Sequence, residues 1–290
     1  MRILITGASG LLGGRLCELL AREHGVTGVI RGHAAPEGIR SRTVDLADVA
    51  SAAELFRGER PEAVIHAAAL ADAERCEREP DRAHRDNVQA TRVVASACAS
   101  VGARLIAIST DLVLGGEQSF STETTNAAPR MEYGRSKLRA EAAAREACPG
   151  AVVLRVSLVC GRGYGPRRTG TEALADRLGR HETVTLYEDE WRSPVGSNSV
   201  AAAVNAALER PAAQGVFHIA GAERLSRVEL GERVARVLGL DASLIRRAPQ
   251  ASHQGAPRPT DVSLDTSRAE AELEWTPQPL DDAIREGRGG

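Results

Sequence analysis

The apolar run Ile3-Leu4-Ile5-Thr6 gives way to Gly7-Ala8-Ser9-Gly10-Leu11-Leu12-Gly13-Gly14, and a helical pattern begins at Leu11. A strand that turns this sharply into a helix restricts the fold strongly. Glycines at 7, 10 and 13 let the chain turn tightly and bring backbone N–H groups against an anion, which the positive end of the helix then faces. The pattern predicts a dinucleotide-binding unit, with Gly7, Ser9, Gly10, Leu11, Leu12 and Gly13 against the cofactor. The plain alternative is a glycine-rich turn that holds no ligand. The strand before it, the helix after it and its place at the start of the chain favour a pyrophosphate.

The first 160 residues continue the theme, alternating short apolar runs with amphipathic stretches as a helix-wrapped parallel sheet does. Strands are expected at Ile3–Thr6, Val26–Ile30, Ser41–Val44, Ala63–His66, Leu105–Ser109 and Val152–Val156. Helices are expected near Leu11–Arg22, Ala50–Phe56, Arg82–Ser100 and Tyr133–Ala147. The fold class is therefore α/β, a Rossmann-type doubly wound parallel sheet over residues 1–157. Beyond it, residues 158–290 read as a smaller mixed α/β substrate lobe from which the chain re-enters the first domain. Its elements are helices near Thr171–Leu178, Ser199–Leu208 and Arg227–Leu238, with strands near Val184–Tyr187 and Val216–Ala220. Gly287–Gly290 reads as a frayed end.

The second strand should end beside the adenine ribose. An NAD site usually places an acid there for the 2′-hydroxyl, and Val29-Ile30-Arg31-Gly32-His33 has none. Arg31 could grip a 2′-phosphate with its planar fork, so NADP(H) is favoured over NAD(H). Asp45, followed by Leu46, could meet the adenine amino group, or cap the next helix as Asp48 also could. Small residues at Ala67, Ala68 and Ala69 suit a backbone passing close to a flat ligand, while His66 before them reads as a packed strand residue.

The reacting end lies further on. The fifth strand ends Ser109-Thr110-Asp111, and Tyr133-Gly134-Arg135-Ser136-Lys137 opens a helix, placing phenol and ammonium on one face. A nearby ammonium lowers a phenol pKa by about 1–3 units, so the phenol can protonate a carbonyl oxygen as hydride reaches the carbon. Thr110 can hold the same oxygen. A solvated Tyr/Lys pair is the bland alternative, and composition weighs against it. Of 37 basic residues only Lys137 is lysine, and only three tyrosines occur. Chance would set the lone lysine four residues after a tyrosine roughly once in a hundred times.

With these motifs in their order, the chain resembles the extended, sugar-nucleotide-handling branch of the short-chain dehydrogenase/reductase superfamily, most closely dTDP-4-dehydrorhamnose reductases. The resemblance rests on Thr6-Gly7-x-x-Gly10-x-x-Gly13, His66-Ala67-Ala68-Ala69, Asp86-Asn87-Val88, Ser109-Thr110-Asp111, Tyr133-x-x-x-Lys137 with Glu141, and Arg258-Pro259-x-x-x-x-Leu264-Asp265. It implies Thr110, Tyr133 and Lys137 as the catalytic set, with Tyr133 and Lys137 also touching the cofactor and Asn87 shaping the site beneath the nicotinamide. The implied reaction is NADP(H)-dependent reduction of a nucleotide-activated keto-sugar at C4. Alternatives are an NAD-retaining epimerase and a non-catalytic NADP-binding regulatory subunit, since the partner of methionine adenosyltransferase looks related to the same branch. Dehydratases of the branch carry Asp-Glu after the threonine; Asp111-Leu112 here argues against dehydration. The Ser-Trp-Val-Tyr-Gly run usual after the sixth strand is Ser157-Leu158-Val159-Cys160-Gly161, lacking the expected aromatic ring. A homodimer is also implied.

Other side chains read more plainly. Arg162, Arg167 and Arg168 sit in a Gly-rich loop suited to a diphosphate, and Trp191 or Arg192 could touch base or phosphate, although arginine is too common here to be informative. Cys160 reads as a packed residue and Glu229–Arg233 as a solvated ion pair. Five cysteines without a Cys-x-x-Cys pair suggest free thiols in the cytoplasm, and no histidine spacing suggests a metal. A net charge of −2 without a basic run argues against nucleic acid, no 18-residue apolar run predicts a membrane span, and a strand starting near residue 1 leaves no room for a signal peptide.

Overall fold

The computed structural model describes residues 1–165 and 168–288. Six strands arise from the first part of the chain: β1 (Arg2–Thr6), β2 (Gly25–Ile30), β3 (Arg40–Thr43), β4 (Ala63–His66), β5 (Arg104–Thr110) and β6 (Val152–Val156). With Gly215–Ile219 they form one seven-stranded sheet, ordered 215–219, β6, β5, β4, β1, β2, β3. Every pairing in it is parallel. The order reverses at β1, whose neighbours are β4 and β2, and in such sheets ligands bind beyond the strand ends at that reversal.

Burial on both faces explains why the inner strands read as apolar runs, whereas edge strand β3, Arg-Ser-Arg-Thr, is polar and largely exposed. Ile3 and Ile5 point to a layer containing Leu16 and Leu20 of helix α1 (Leu11–Leu20) and Val200, Val204 and Ala207 of helix Ser197–Glu209. Leu4 points the other way, to Leu55, Phe56, Val94 and Cys98. Each of Ile3, Leu4 and Ile5 is at most 1% exposed, and full burial of such a side chain stabilises by roughly 1.5–3 kcal/mol.

Strand 215–219 joins this sheet and helix 197–209 packs on it, although the sequence pattern assigned both to the lobe. The strand pairs along its whole length with β6, Val216 against Val153 and Ile219 against Val156, which covers an otherwise open apolar edge. The smaller lobe keeps its own core of Leu174, Leu178, Val184, Leu230, Val234 and Ile284. Strand Ile245–Ala248 and helix Leu280–Glu286 add to the lobe, while helix Ser267–Leu273 buries Ala269 and Leu273 in the main sheet's core; all three are too short to carry a clear period in sequence. No helix among the described residues is long and apolar enough to cross a membrane.

The expected helix 82–100 is not continuous. Pro80–Ala83 is α-helical, His84–Gln89 widens into a π-helix and Ala90–Val101 returns to α. Such widenings recur at functional sites, and this one carries Asp86 and Asn87.

Candidate active site

The glycine turn is built against its neighbours. Gly7 has φ +69°, and a Cβ on it would stand 2.8 Å from the Ala68 backbone; a Cβ on Gly13 would stand 2.2 Å from the Gly7 carbonyl oxygen. Only glycine permits that closeness. Helix α1 has no side-chain N-cap, so its first amides remain available to an anion.

Two cavities open at the strand ends on either side of this turn. The first, about 400 Å³, is lined by Gly7, Ser9, Gly10, Arg31, Asp45, Leu46 and Ala67–Ala69 among others. The second, about 560 Å³, is lined by Gly10–Gly13, Leu70, Ser109, Thr110, Tyr133, Lys137 and Ser157 among others. Gly10, Ala67, Ala69 and Arg75 line both, so the two form one cleft. An extended dinucleotide fits this arrangement: small side chains along the floor, a glycine cradle at the middle and a polar chamber at one end. The structure thus brings together all the turn residues, Arg31, Asp45, Leu46, the three alanines and the Thr110/Tyr133/Lys137 set. Asn87 is the exception.

Thr110 ends β5; Tyr133 and Lys137 come from the first turns of helix Glu132–Ala147. Gly134 lets that helix begin so close to β5, because a Cβ there would lie 2.1 Å from the Leu112 carbonyl oxygen. Asn87 is 1% exposed and fully used within the protein. Its Oδ1 accepts from the Leu70 amide at 2.7 Å, and its Nδ2 donates to the Leu70 carbonyl at 3.2 Å and to Ser136 Oγ at 2.8 Å. Ser136 in turn donates to the Tyr133 carbonyl at 2.8 Å. Asn87 therefore holds the 70s loop against the Tyr133 helix and does not face the cleft.

Lys137 is buried and donates from Nζ to the Ile108 carbonyl at 2.7 Å. Burial brings its pKa down to about 8, against an upward pull from Glu141. Glu141 is itself held by Ser109 and by Arg155, whose Nη2 lies 2.8 Å from its Oε2. The sequence reading expects a phenol made more acidic by this ammonium, and the structure shows the reverse. The Tyr133 pKa is raised, by burial first and then by Asp111 and Cys76, with Thr110 pulling it back. With Nζ bonded to a carbonyl, Lys137 does not offset the burial of the phenol. Thr110 Oγ1 donates to Asp111 Oδ1 at 3.1 Å, and Ser157 donates to Asp111 Oδ2 at 3.0 Å. Asp111 is buried, which raises its pKa, and Arg192 opposes the shift from 3.9 Å.

At the other end of the cleft, half-exposed Arg31 lies 2.8 Å from buried Asp86, which Arg82 and Arg85 also approach. Asp45 accepts from the Ala47 amide at 3.1 Å and pairs with Arg85, while Asp48 caps the next helix. Each oxygen of the Asp45 carboxylate thus has one partner and a further acceptor site, and the side chain stays partly exposed in the cleft. The Arg85 hydrogen bond holds the Asp45 pKa below the usual value.

His66 is a closed relay. Thr91 donates to the Asn87 carbonyl at 2.6 Å, so it accepts from His66 Nε2–H at 2.9 Å; Nδ1 accepts from Thr6 at 2.8 Å, and Thr6 accepts the Ala68 amide at 3.1 Å. Burial, then Lys137, brings its pKa down to about 3. Cys160 is buried, with its thiol pushed up to about 12, and is no nucleophile. Glu229 is the N3 residue of a capping box with Ser226, and Arg233 pairs with Glu223 and Asp281, so the expected 229–233 pair is replaced by these partners. Arg162 lines a separate surface cavity with Arg15 and Glu18, Arg168 pairs with Glu172 and Asp176, and Arg167 lies outside the described residues. Arg224 stacks 3.8 Å over Trp191. Sequence reasoning did not place Ser157 or Arg75 in the cleft; Ser157 opens the run Ser157–Gly161 after the sixth strand, and no period or motif marks Arg75.

A family model described as "RmlD substrate binding domain" matches residues 1–287. The chain belongs to this family. The probable low-salt glycan biosynthesis reductase Agl14 of Haloferax volcanii is 33% identical over 98% of this chain and 96% of its own length. The methionine adenosyltransferase 2 subunit beta of Rattus norvegicus is 30% identical over 93% of this chain and 81% of its own. A crystal structure of a hypothetical dTDP-4-dehydrorhamnose reductase from Sulfolobus tokodaii superposes with a TM-score of 0.86 at 31% identity, covering 97% and 98% of the two chains. The relatives thus include both a protein named as a probable reductase and one named as a subunit of methionine adenosyltransferase.

Proposed function

We propose that the protein is an NADP(H)-dependent reductase of a nucleotide-activated keto-sugar, acting at the C4 carbonyl. The observation that carries this reading is the meeting of Thr110, Tyr133 and Lys137 in one chamber lined also by Gly10–Gly13 of the glycine turn. A bound nicotinamide cofactor supplies hydride. The raised pKa of Tyr133 keeps its phenol protonated until a carbonyl oxygen gains charge, and the phenol then gives up that proton. Thr110 turns its hydroxyl from Asp111 to the same oxygen and orients it. Lys137, charged at neutral pH, turns its ammonium from the Ile108 carbonyl to steady the phenolate that results. For the cofactor, the missing acid after β2 and the position of Arg31 support NADP(H). Arg31→Asp should move preference toward NADH, measured as the ratio of the two dissociation constants; an unchanged ratio removes Arg31 as the phosphate grip.

The likeness to the methionine adenosyltransferase subunit favours a second reading, a cofactor-bound regulatory subunit without turnover. Assaying NADPH loss against a panel of dTDP-4-keto-sugars separates the two. Consumption that disappears in Tyr133→Phe supports the reductase. No consumption with any sugar, with NADPH binding intact, supports the regulator.

A further inference from the structure

We propose that Arg75 is a second grip on the diphosphate of the dinucleotide, reaching it from the short helix Ala73–Arg78 that follows β4. This inference rests on the dinucleotide reading of the cleft. A dinucleotide has its diphosphate between its two nucleoside halves, so residues shared by the two cavities mark where it lies. Those residues are Gly10, Ala67, Ala69 and Arg75. Gly10 belongs to the glycine turn, the alanines offer no polar side chain, and Arg75 alone of the four carries charge.

The fork of Arg75 is also aimed and partly occupied in a telling way. Its Nε donates to Glu79 Oε1 at 2.9 Å, while neither terminal amino group has a hydrogen-bond partner among the described residues. A guanidinium anchored through Nε presents its two outer donors as a planar pair, the geometry that suits two phosphate oxygens. Glu79 is held in turn by Arg82 at 3.2 Å, so the anchor is itself fixed. The abundance of arginine makes any one of them uninformative in sequence; the shared lining and the anchored Nε distinguish this one. The arrangement gives the diphosphate backbone amides from the turn and an anchored cation from the helix Ala73–Arg78.

Two diphosphates could meet Arg75, that of the cofactor and that of a nucleotide-sugar, and calorimetric titration separates them. Wild-type protein and the Arg75→Gln and Arg75→Lys variants are titrated with NADPH, ADP-ribose, adenosine monophosphate and dTDP. We expect Arg75→Gln to weaken NADPH and ADP-ribose about tenfold, roughly the worth of one exposed charge-assisted contact. Adenosine monophosphate should change by less than about threefold, dTDP should be unaffected, and Arg75→Lys should recover part of the loss. Equal NADPH affinity in wild type and Arg75→Gln overturns the inference and leaves the dinucleotide reading standing. A loss confined to dTDP also overturns it and assigns Arg75 to the substrate. If wild-type protein binds neither NADPH nor ADP-ribose, the dinucleotide reading itself fails.

Discussion

Tyr133 and Lys137 show how position divides labour between two residues four apart. The phenol sits where burial holds it neutral, and the ammonium sits where burial brings it to the edge of neutrality. For Lys137 the sign is definite: its folded pKa of about 8 lies below the ordinary 10.5, so the free protein loses this charge as pH rises through about 8. We expect kcat/KM for NADPH-dependent reduction to fall above about pH 8, and a flat profile to pH 10 would exclude the charged lysine from the rate. Tyr133→Phe should lower kcat roughly 10²–10⁴-fold while NADPH affinity changes little, as read by titration. Lys137 was legible in sequence because it is the sole lysine, whereas the direction of the Tyr133 shift was not. Helical spacing gives neighbours, but burial and the competing Ile108 carbonyl are tertiary facts.

The helix Glu132–Ala147 places these residues, and its approach is set by Gly134 and by Asn87 in the π-turn. Gly134→Ala introduces a methyl 2.1 Å from a backbone oxygen, so the helix start must move. We expect a loss of about 1–3 kcal/mol in urea denaturation and a fall in kcat larger than any rise in KM. An unperturbed midpoint would show that the helix start can shift freely. Asn87 was expected beneath the cofactor on family resemblance. It bonds instead to Leu70 and Ser136 from within the π-helix His84–Gln89, a widening that a strict 3.6-residue period cannot anticipate. The inner strands and the glycine turn, by contrast, were legible almost residue for residue, since a buried parallel sheet writes apolar runs into the chain.

On the scale of the whole molecule, the chain leaves the sheet after β6 and returns through Ser197–Glu209 and Gly215–Ile219 before finishing the lobe. Local pattern marks those elements as helix and strand but does not say which sheet edge they join. The returning strand brings His218 beside Arg155, and burial and that guanidinium lower the histidine pKa to about 4. His66 and His218 are thus neutral in the fold and take up protons more readily in the unfolded chain. Their contribution to stability is complete above about pH 6.5 and is lost as pH falls toward 4 and below. Urea midpoints should decline over that window, and less steeply in His66→Gln, at the expense of lower stability at neutral pH. Equal slopes for the two proteins would mean that His66 does not titrate on unfolding.

Hydride transfer to a sugar carbon is the central claim, and isotope transfer reads it directly. NADPH deuterated at the transferable position of its nicotinamide is mixed with the protein and a dTDP-4-keto-sugar, and the sugar product is examined by mass spectrometry and proton NMR. We predict deuterium at C4 of the product, stoichiometric with NADPH consumed and absent with Tyr133→Phe. A product formed without deuterium, or bound NADPH that delivers none to any sugar in the panel, would contradict it.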